Sequence, residues 1–111
     1  MESEYLVVLV AVSDVDTGVQ LGRRLVEECL AACVQVMPSG MAIYRWQGEL
    51  YMESQVQLLI KTRKTAWQGL RARVVELHPD EVPEILALPV IDGLPEYLSW
   101  LGESTDEPGA V

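Results

Sequence analysis

The hydrophobic and polar positions change their period several times along the chain, and each change marks a predicted element. Residues 5–12 form an unbroken apolar run rich in Val, which is typical of a strand buried on both faces. Asp14 is suited to cap a helix, and apolar residues recur at helical spacing from there to about Ala31. The predicted inward stripe of this helix comprises Val15, Val19, Gly22, Val26, Cys29 and Leu30. Residues 33–37 then alternate as a second strand, which we expect to end at residues 38–40.

Residues 41–62, "MAIYRWQGELYMESQVQLLIKT", predict a long hairpin that turns at Gln47-Gly48. Its second strand places one set of apolar residues on a single face: Leu50, Met52, Val56, Leu58 and Ile60. A straight strand over residues 49–62 would reach roughly 46 Å at about 3.3 Å per residue. A compact domain of this size has a radius of gyration of only about 13 Å, so the hairpin must bend, bulge or project. A projecting ribbon is marginal alone, and we expect it to pair with another subunit.

The second half of the chain repeats the strand and helix pattern. A helix is predicted from about Thr65 to His78, closed by Pro79, with an inward face of Ala66, Trp67, Leu70, Val74 and Leu77. Residues 84–91 predict a strand that Pro89 confines to an edge or a bulge, and residues 95–101 predict a short helix. The order of elements predicts an α+β fold: a split βαβ, ferredoxin-like antiparallel sheet with its helices on one face.

Length and charge predict a single-domain protein that binds neither nucleic acid nor membranes. The 111 residues predict one domain over residues 1–102 and a disordered acidic tail over residues 103–111. A net charge of −9, with only eight Lys and Arg, predicts no nucleic-acid partner. The acidic N-terminus predicts no signal peptide, and its apolar run is shorter than the roughly 20 residues that span a bilayer. We therefore expect a cytoplasmic protein with no membrane partner.

The residue types that catalysis needs are scarce. The chain has one histidine, no G-x-S-x-G turn and no glycine-rich phosphate loop after its first strand, so we expect no enzymatic activity. Cys29 and Cys33 lie in apolar surroundings without C-x-x-C spacing, which is typical of buried, reduced thiols.

The stretch "LHPDEVPEILALPV", residues 77–90, holds the candidate chemistry. His78 is followed closely by Asp80, Glu81 and Glu84, which could add oxygen ligands to its imidazole. One imidazole with mobile carboxylates would bind copper or zinc weakly and without selecting between them. The alternative is structural: an imidazolium is favoured at a helix C-terminus, and the prolines stiffen a joint between a helix and a strand.

Several segments, in this order and at this spacing, resemble the CutA family of divalent-cation-tolerance proteins over nearly everything from Leu6 to Leu101. They are "LVEECLAACVQVMP", "IYRWQGEL", "LLIKT", "LHPDEVPEILALPV" and "GLPEYLSWL". The resemblance implies a ferredoxin-like protomer in a tight homotrimer, with the long hairpin strands pairing between subunits, and an architecture like that of PII-type signalling proteins. It also implies divalent-cation binding or tolerance, with copper as the ion attributed to some members.

The copper ligands implied by the resemblance are a cysteine near the end of the first strand and two adjacent histidines. Val10 stands at the cysteine position and Leu77 at the first histidine, so only His78 matches. Asp80 stands where the family usually has tyrosine.

The resemblance also implies a cleft between subunits, lined by Cys33, Tyr44, Trp46, Lys61 and Glu84. A Lys61–Glu84 pair with aromatic neighbours could hold a small anionic or zwitterionic ligand. The alternative is an interfacial ion pair walled by core aromatics. The rival to a metal-binding function is therefore a PII-like signalling or assembly module that binds a small ligand or partner protein in this cleft.

Overall fold

The computed structural model describes residues 3–106, without the side chain of Ser39. Its elements are, in order, β1 (Tyr5–Val12), α1 (Val15–Glu27), β2 (Cys33–Trp46), β3 (Glu49–Arg63), α2 (Lys64–Leu77), β4 (Ile85–Pro89) and α3 (Pro95–Ser104). The strands form one antiparallel sheet in the order β2-β3-β1-β4. This is the predicted α+β, ferredoxin-like arrangement, and β4 lies at an edge as Pro89 requires.

The core lies between one face of the sheet and helices α1 and α2. Its fully buried side chains include the following from β1, β3 and both helices: Val8, Val10, Leu25, Leu58, Ile60, Leu70 and Val74. Lys61 and Arg63 alternate with these buried β3 residues, so they face away from α1 and α2. Helix α3 contacts this other face, where Lys61 Nζ lies 3.2 Å from the Tyr97 hydroxyl. The prediction of helices on one face therefore holds for α1 and α2 but not for α3.

Helix α1 begins where the sequence predicted. The Asp14 carboxylate accepts a hydrogen bond from the Thr17 N–H at 2.8 Å, and this bond lowers the pKa of Asp14. The helix ends at Glu27, earlier than the predicted Ala31, because Cys29 takes a left-handed backbone conformation with φ of 59°.

The predicted inward stripe of α1 was right at Gly22, which is buried, and wrong at its three valines. Its buried residues are Gly18, Leu21, Gly22 and Leu25, whereas Val15, Val19 and Val26 are about half exposed. The reason is a close approach to the sheet, since a Cβ atom added at Gly22 would lie 2.9 Å from Val34 Cγ1. The glycine face must therefore turn to the sheet, and the valines are left at the flanks.

The predicted end of β2 at residues 38–40 was also wrong, because the strand passes through Pro38 and continues to Trp46. Met37 pairs with Gln57, but the next pair is Gly40 with Gln55. Three steps along β2 therefore match two steps along β3, which is the count of a β-bulge. The bulge accommodates the proline, which cannot donate a ladder hydrogen bond.

The bulge changes which residues of β2 share a face. Before it, Val34 and Val36 pair with buried β3 residues on the helix side. After it, Ala42, Tyr44 and Trp46 pair with the set of β3 residues that faces away from the helices. Because side chains alternate along a strand, one extra residue moves every later side chain to the other face.

The hairpin turns at Gln47-Gly48 as predicted, with φ of 49° and 81° at the two residues. We call residues 41–54 the ribbon. It projects from the domain, whose longest dimension is 48 Å against 29 and 23 Å for the others. Four apolar ribbon side chains are more than 60% exposed: Met41, Ile43, Leu50 and Met52. The projection confirms the length argument made from the sequence.

The C-terminal boundary differs from the predicted one. Helix α3 continues to Ser104, Thr105 is buried, and the Arg63 guanidinium reaches Thr105 Oγ1 at 2.9 Å and Asp106 Oδ1 at 2.6 Å. Residues 103–106 are thus held against β3 by Arg63 and do not belong to a disordered tail. The rest of that predicted tail, residues 107–111, lies outside the described residues. Over the chain from residue 3 to 106, none of the helices has the length and apolar character to cross a membrane.

The close approach at Gly22 gives a test of the packing. Gly22→Ala should lower the free energy of unfolding by about 1–2 kcal/mol, because overpacking against the stiff Val34 side chain outweighs the gain in helix propensity. Gly40→Ala is the matched control, since a Cβ atom there meets no other atom within 4 Å. The control should change stability by less than about 0.5 kcal/mol in denaturant unfolding. Equal effects at the two glycines would contradict the close approach.

Candidate functional site

A groove of about 690 Å³ separates the ribbon from residues 78–84, the joint that links α2 to β4. We call it the acidic groove, because four of its lining residues are carboxylates and none is Lys or Arg. Its lining comprises Ala11, Ala42, Ile43, Tyr44, Trp46, Glu53, Gln55, Pro79, Asp80, Glu81, Val82 and Glu84. The sheet supplies one wall of the groove and the joint supplies the other.

The bulge in β2 gives the ribbon wall its aromatic side chains, Tyr44 and Trp46. The Tyr44 ring stacks on that of Tyr51, its partner across the ribbon, with ring centroids 5.4 Å apart. The Tyr44 hydroxyl donates a hydrogen bond to the Glu53 carboxylate. This bond, followed by burial and the negative charges of Glu53 and then Asp80, raises the pKa of Tyr44 to about 12. Tyr44 is therefore a neutral hydrogen-bond donor in a negative environment at physiological pH.

His78 holds the joint against the end of β1. Its side chain is 1% exposed. Nε2 lies 2.7 Å from the Ala11 carbonyl oxygen, and Nδ1 lies 3.0 Å from the Asp80 backbone nitrogen. A carbonyl can only accept and an amide N–H can only donate, so these partners specify the neutral imidazole with its proton on Nε2.

This arrangement changes the interpretation of His78 as a metal ligand. Both ring nitrogens already have partners, so a metal ion could bind the ring only after the bond from the Asp80 N–H or the bond to Ala11 had broken. The structural alternative, a charged imidazolium at the helix C-terminus, also differs from what is observed. The ring is neutral and links the joint to the end of β1, and we call this link the brace. The sequence located the residue correctly but gave no information on the partners of its ring.

The residues of the predicted cleft fall into two groups. Tyr44, Trp46 and Glu84 line the acidic groove. Cys33 and Lys61 do not line it, and are paired with each other across β2 and β3.

Lys61 and Glu84 do not pair with each other in the described part of one protomer, and a pair across a subunit boundary, where the resemblance implied it, stays a prediction. Glu84 instead accepts a hydrogen bond from Gln57 Nε2 at 3.0 Å, while Lys61 reaches the Tyr97 hydroxyl. Lys61 lies four residues further along β3 than Gln57, which separates their Cα atoms by about 13 Å. The groove consequently has no basic side chain for a small anionic or zwitterionic ligand.

The two cysteines are less buried than the sequence predicted. Cys29 and Cys33 are free thiols of intermediate exposure, and were predicted to be buried.

One carboxylate of the groove was missed by the sequence analysis. Glu53 was not among the predicted site residues, although it lines the groove and binds Tyr44. Its role depends on the register of the ribbon, which pairs Glu53 with Ala42 and places it beside Tyr44.

The donor set does not form a preorganised metal centre. Among residues 3–106, no three His, Cys, Asp or Glu side chains converge closely enough to hold a metal ion. The carboxylates of the groove come from β3 and from the joint and remain apart. They can attract a cation through their charge, but within one protomer they cannot replace its hydration shell.

Known proteins resemble this chain in both sequence and structure. The family model described as CutA1 divalent ion tolerance protein matches residues 6–104. The divalent-cation tolerance protein CutA of Thermus thermophilus is 48% identical over 99 residues, which cover 89% of this chain and 96% of that protein. The crystal structure of CutA1 from Oryza sativa has a TM-score of 0.90 at 36% identity, covering 96% of this chain and 97% of that one.

The role of the His78 ring can be tested separately from that of the neighbouring Asp80 carboxylate. His78→Ala should lower the free energy of unfolding by about 2–4 kcal/mol, because it leaves the buried Ala11 carbonyl and the Asp80 N–H without partners. Asp80→Ala is the control, since it keeps the backbone N–H that bonds the ring at 3.0 Å and removes only a carboxylate oxygen that lies 4.0 Å from Nδ1. The control should change stability by no more than about 0.5 kcal/mol when both variants are unfolded in denaturant at one protein concentration. A neutral His78→Ala would refute the brace.

Proposed function

Because the chain belongs to the CutA1 divalent ion tolerance family, we propose that it is a non-enzymatic divalent-cation-tolerance protein that gathers cations at its acidic groove. The observation that carries this proposal is the composition of the groove, where Glu53, Asp80, Glu81 and Glu84 face no lining Lys or Arg. The net charge of −9 adds a long-range attraction for cations to this local one.

The proposed mode of binding is electrostatic. No three ligands converge within the described residues, so a divalent ion in the groove keeps most of its water and is held through its hydration shell. Such binding selects poorly among copper, zinc and other divalent ions, and salt screens it. We expect a Kd of about 10⁻⁴–10⁻³ M, the range of weak carboxylate sites.

We also propose that the protein is a homotrimer in which the ribbons pair between subunits. The support is the exposed apolar surface of the ribbon, which a monomer would leave in water: Met41, Ile43, Leu50 and Met52. Exposed patches of this kind mark interaction surfaces, and an isolated two-stranded ribbon is marginal in stability. Assembly would bring three acidic grooves into one particle and strengthen the attraction for cations.

A second candidate function is a PII-like module that binds a small ligand or a partner protein in the groove. The observation that favours it is the aromatic wall made by Tyr44 and Trp46. A fully hydrated metal ion gains little from contact with an aromatic face, whereas an organic ligand can pack against it. The volume of about 690 Å³ also lies within the range of small-molecule pockets.

Charge removal tests the cation site. Asp80→Asn, Glu81→Gln and Glu84→Gln together should weaken magnesium or zinc binding at least about fivefold in calorimetry at low salt, because they remove most of the local field. The matched control carries Glu4→Gln, Glu96→Gln and Glu103→Gln, which remove the same charge from exposed positions outside the groove. An equal loss of cation affinity in both variants would contradict a site in the groove, because it would show that only the total charge of the protein matters.

The ribbon makes a separate prediction about assembly. Leu50→Lys with Met52→Lys should convert a trimer into monomers in analytical ultracentrifugation, because two ammonium groups cannot be buried in an apolar contact without partners. Val75→Lys is the control, since Val75 is similarly exposed on α2. A wild-type protein that sediments as a monomer, or a double variant that stays trimeric, would contradict this assembly.

A further inference from the structure

Helix α3 lies on the face of the sheet away from α1 and α2, and it buries little of its own surface there. Of its ten residues, only Leu101 and Gly102 are buried. Tyr97 and Trp100 are 40% and 44% exposed, and Leu94, which precedes the helix, is 65% exposed. Both α1 and α2 contribute side chains to the core cluster, and α3 contributes none. Apolar burial therefore holds α3 less firmly than it holds the other two helices.

The sequence of α3 gives the helix limited stability of its own. An isolated helix shorter than about 12–15 residues is marginal in water. Pro95 and Glu96 favour the first turn, but the Leu94 side chain does not cap it, and the last turn has no basic residue. Gly102 lowers the helix propensity further. The order of α3 therefore depends on its contacts with the sheet.

Two basic side chains of β3 make polar contacts with the α3 segment. Lys61 Nζ lies 3.2 Å from the Tyr97 hydroxyl and 5.4 Å from the centroid of the Tyr97 ring. At the other end of the helix, Arg63 Nε donates to Thr105 Oγ1 at 2.9 Å, and Nη2 donates to Asp106 Oδ1 at 2.6 Å. One guanidinium therefore holds two successive residues, which its rigid fork of donors allows.

Thr105 transmits the hold of Arg63 to the last turn of α3. Thr105 is buried, and its hydroxyl proton is shared between the carbonyl oxygens of Leu101 and Gly102, each 3.1 Å away. The same hydroxyl oxygen accepts from Arg63, so a chain of hydrogen bonds runs from β3 into the helix. Carbonyls in the last turn of a helix lack intrahelical partners, and this chain supplies them.

We propose that α3 is a strap that opens from the sheet as one unit, and that Arg63 is the latch that keeps it closed. A contiguous segment that buries little apolar surface opens at a lower free energy than the core. Opening uncovers Lys61 and Arg63, the two basic side chains of β3. The Arg63 and Asp106 side chains are 22% and 48% exposed, so salt screens their attraction and favours opening. The strap depends neither on the cation site nor on the trimer.

The experiment is hydrogen exchange of the full chain, read by mass spectrometry in peptides that cover α3, α2 and β1. In the wild-type protein we expect amides of α3 to exchange faster than those of α2 and β1. Raising sodium chloride from about 0.05 M to about 1 M should accelerate α3 by about two- to fivefold, because screening weakens the latch. The α2 and β1 peptides should not change.

Variants of the latch separate its charge from its geometry. Arg63→Gln should accelerate exchange in α3 by about 5- to 50-fold and remove the salt dependence. Arg63→Lys should have an intermediate effect, because an ammonium group cannot hold Thr105 and Asp106 together. Asp106→Asn should remove the salt dependence with a smaller acceleration, since the Thr105 contact remains. Arg71→Gln is the control, because it removes the same charge from α2, where the guanidinium lies over the Trp67 ring.

Several results would overturn the strap. Wild-type α3 that exchanges as slowly as α2 would show that it does not open on its own. Equal acceleration by Arg63→Gln and Arg71→Gln would show that Arg63 is not the latch. Acceleration of α2 and β1 together with α3 would mean that the whole domain opens. A loss of assembly in Arg63→Gln, measured by sedimentation, would place this side chain in a subunit contact instead.

Discussion

Side chains alternate along a β-strand, so the extra residue of β2 between Met37 and Gly40 decides the character of both faces of the ribbon. Without it, Tyr44 and Trp46 would continue on the face that Val34 and Val36 present to the helices. With it, the aromatic side chains join the face that borders the groove. Met41, Leu50 and Met52 are left on the other face of the ribbon, where each is more than 60% exposed in the protomer. The candidate site and the candidate assembly surface thus depend on the same irregularity.

The second wall of the groove depends on a different kind of constraint. The joint between α2 and β4 contains prolines, which limit its backbone but do not attach it to the sheet. The imidazole of His78 makes that attachment by accepting from the joint and donating to the end of β1. A residue that resembles a metal ligand in the sequence therefore positions the carboxylates of Asp80 and Glu81 and keeps its own nitrogens occupied.

Membership of the CutA1 family accounts for the fold, whereas the chemistry available to this chain depends on the residues that line its acidic groove. Val10 and Leu77 stand at two of the three metal-ligand positions that the resemblance implied. The third, His78, has both ring nitrogens hydrogen-bonded to the backbone. What remains is a field of separated carboxylates beside an aromatic wall. Function belongs to such sites more than to folds, so the chemistry of cations in this protein is best sought in the groove.

Local patterns in the sequence determined the elements and their order. The Val-rich run of β1, the Asp14 cap and the Gln47-Gly48 turn each depend on residues close together in the chain, and each was predicted correctly. Length alone also required the hairpin to bend, bulge or project, and it both bulges and projects. The inward face of α1, the bulge at Pro38, the partners of His78 and the separation of Lys61 from Glu84 were decided only by the tertiary structure. Each of them depends on atoms that are distant in sequence, and the spacing of residues along a chain does not determine which distant atoms will meet.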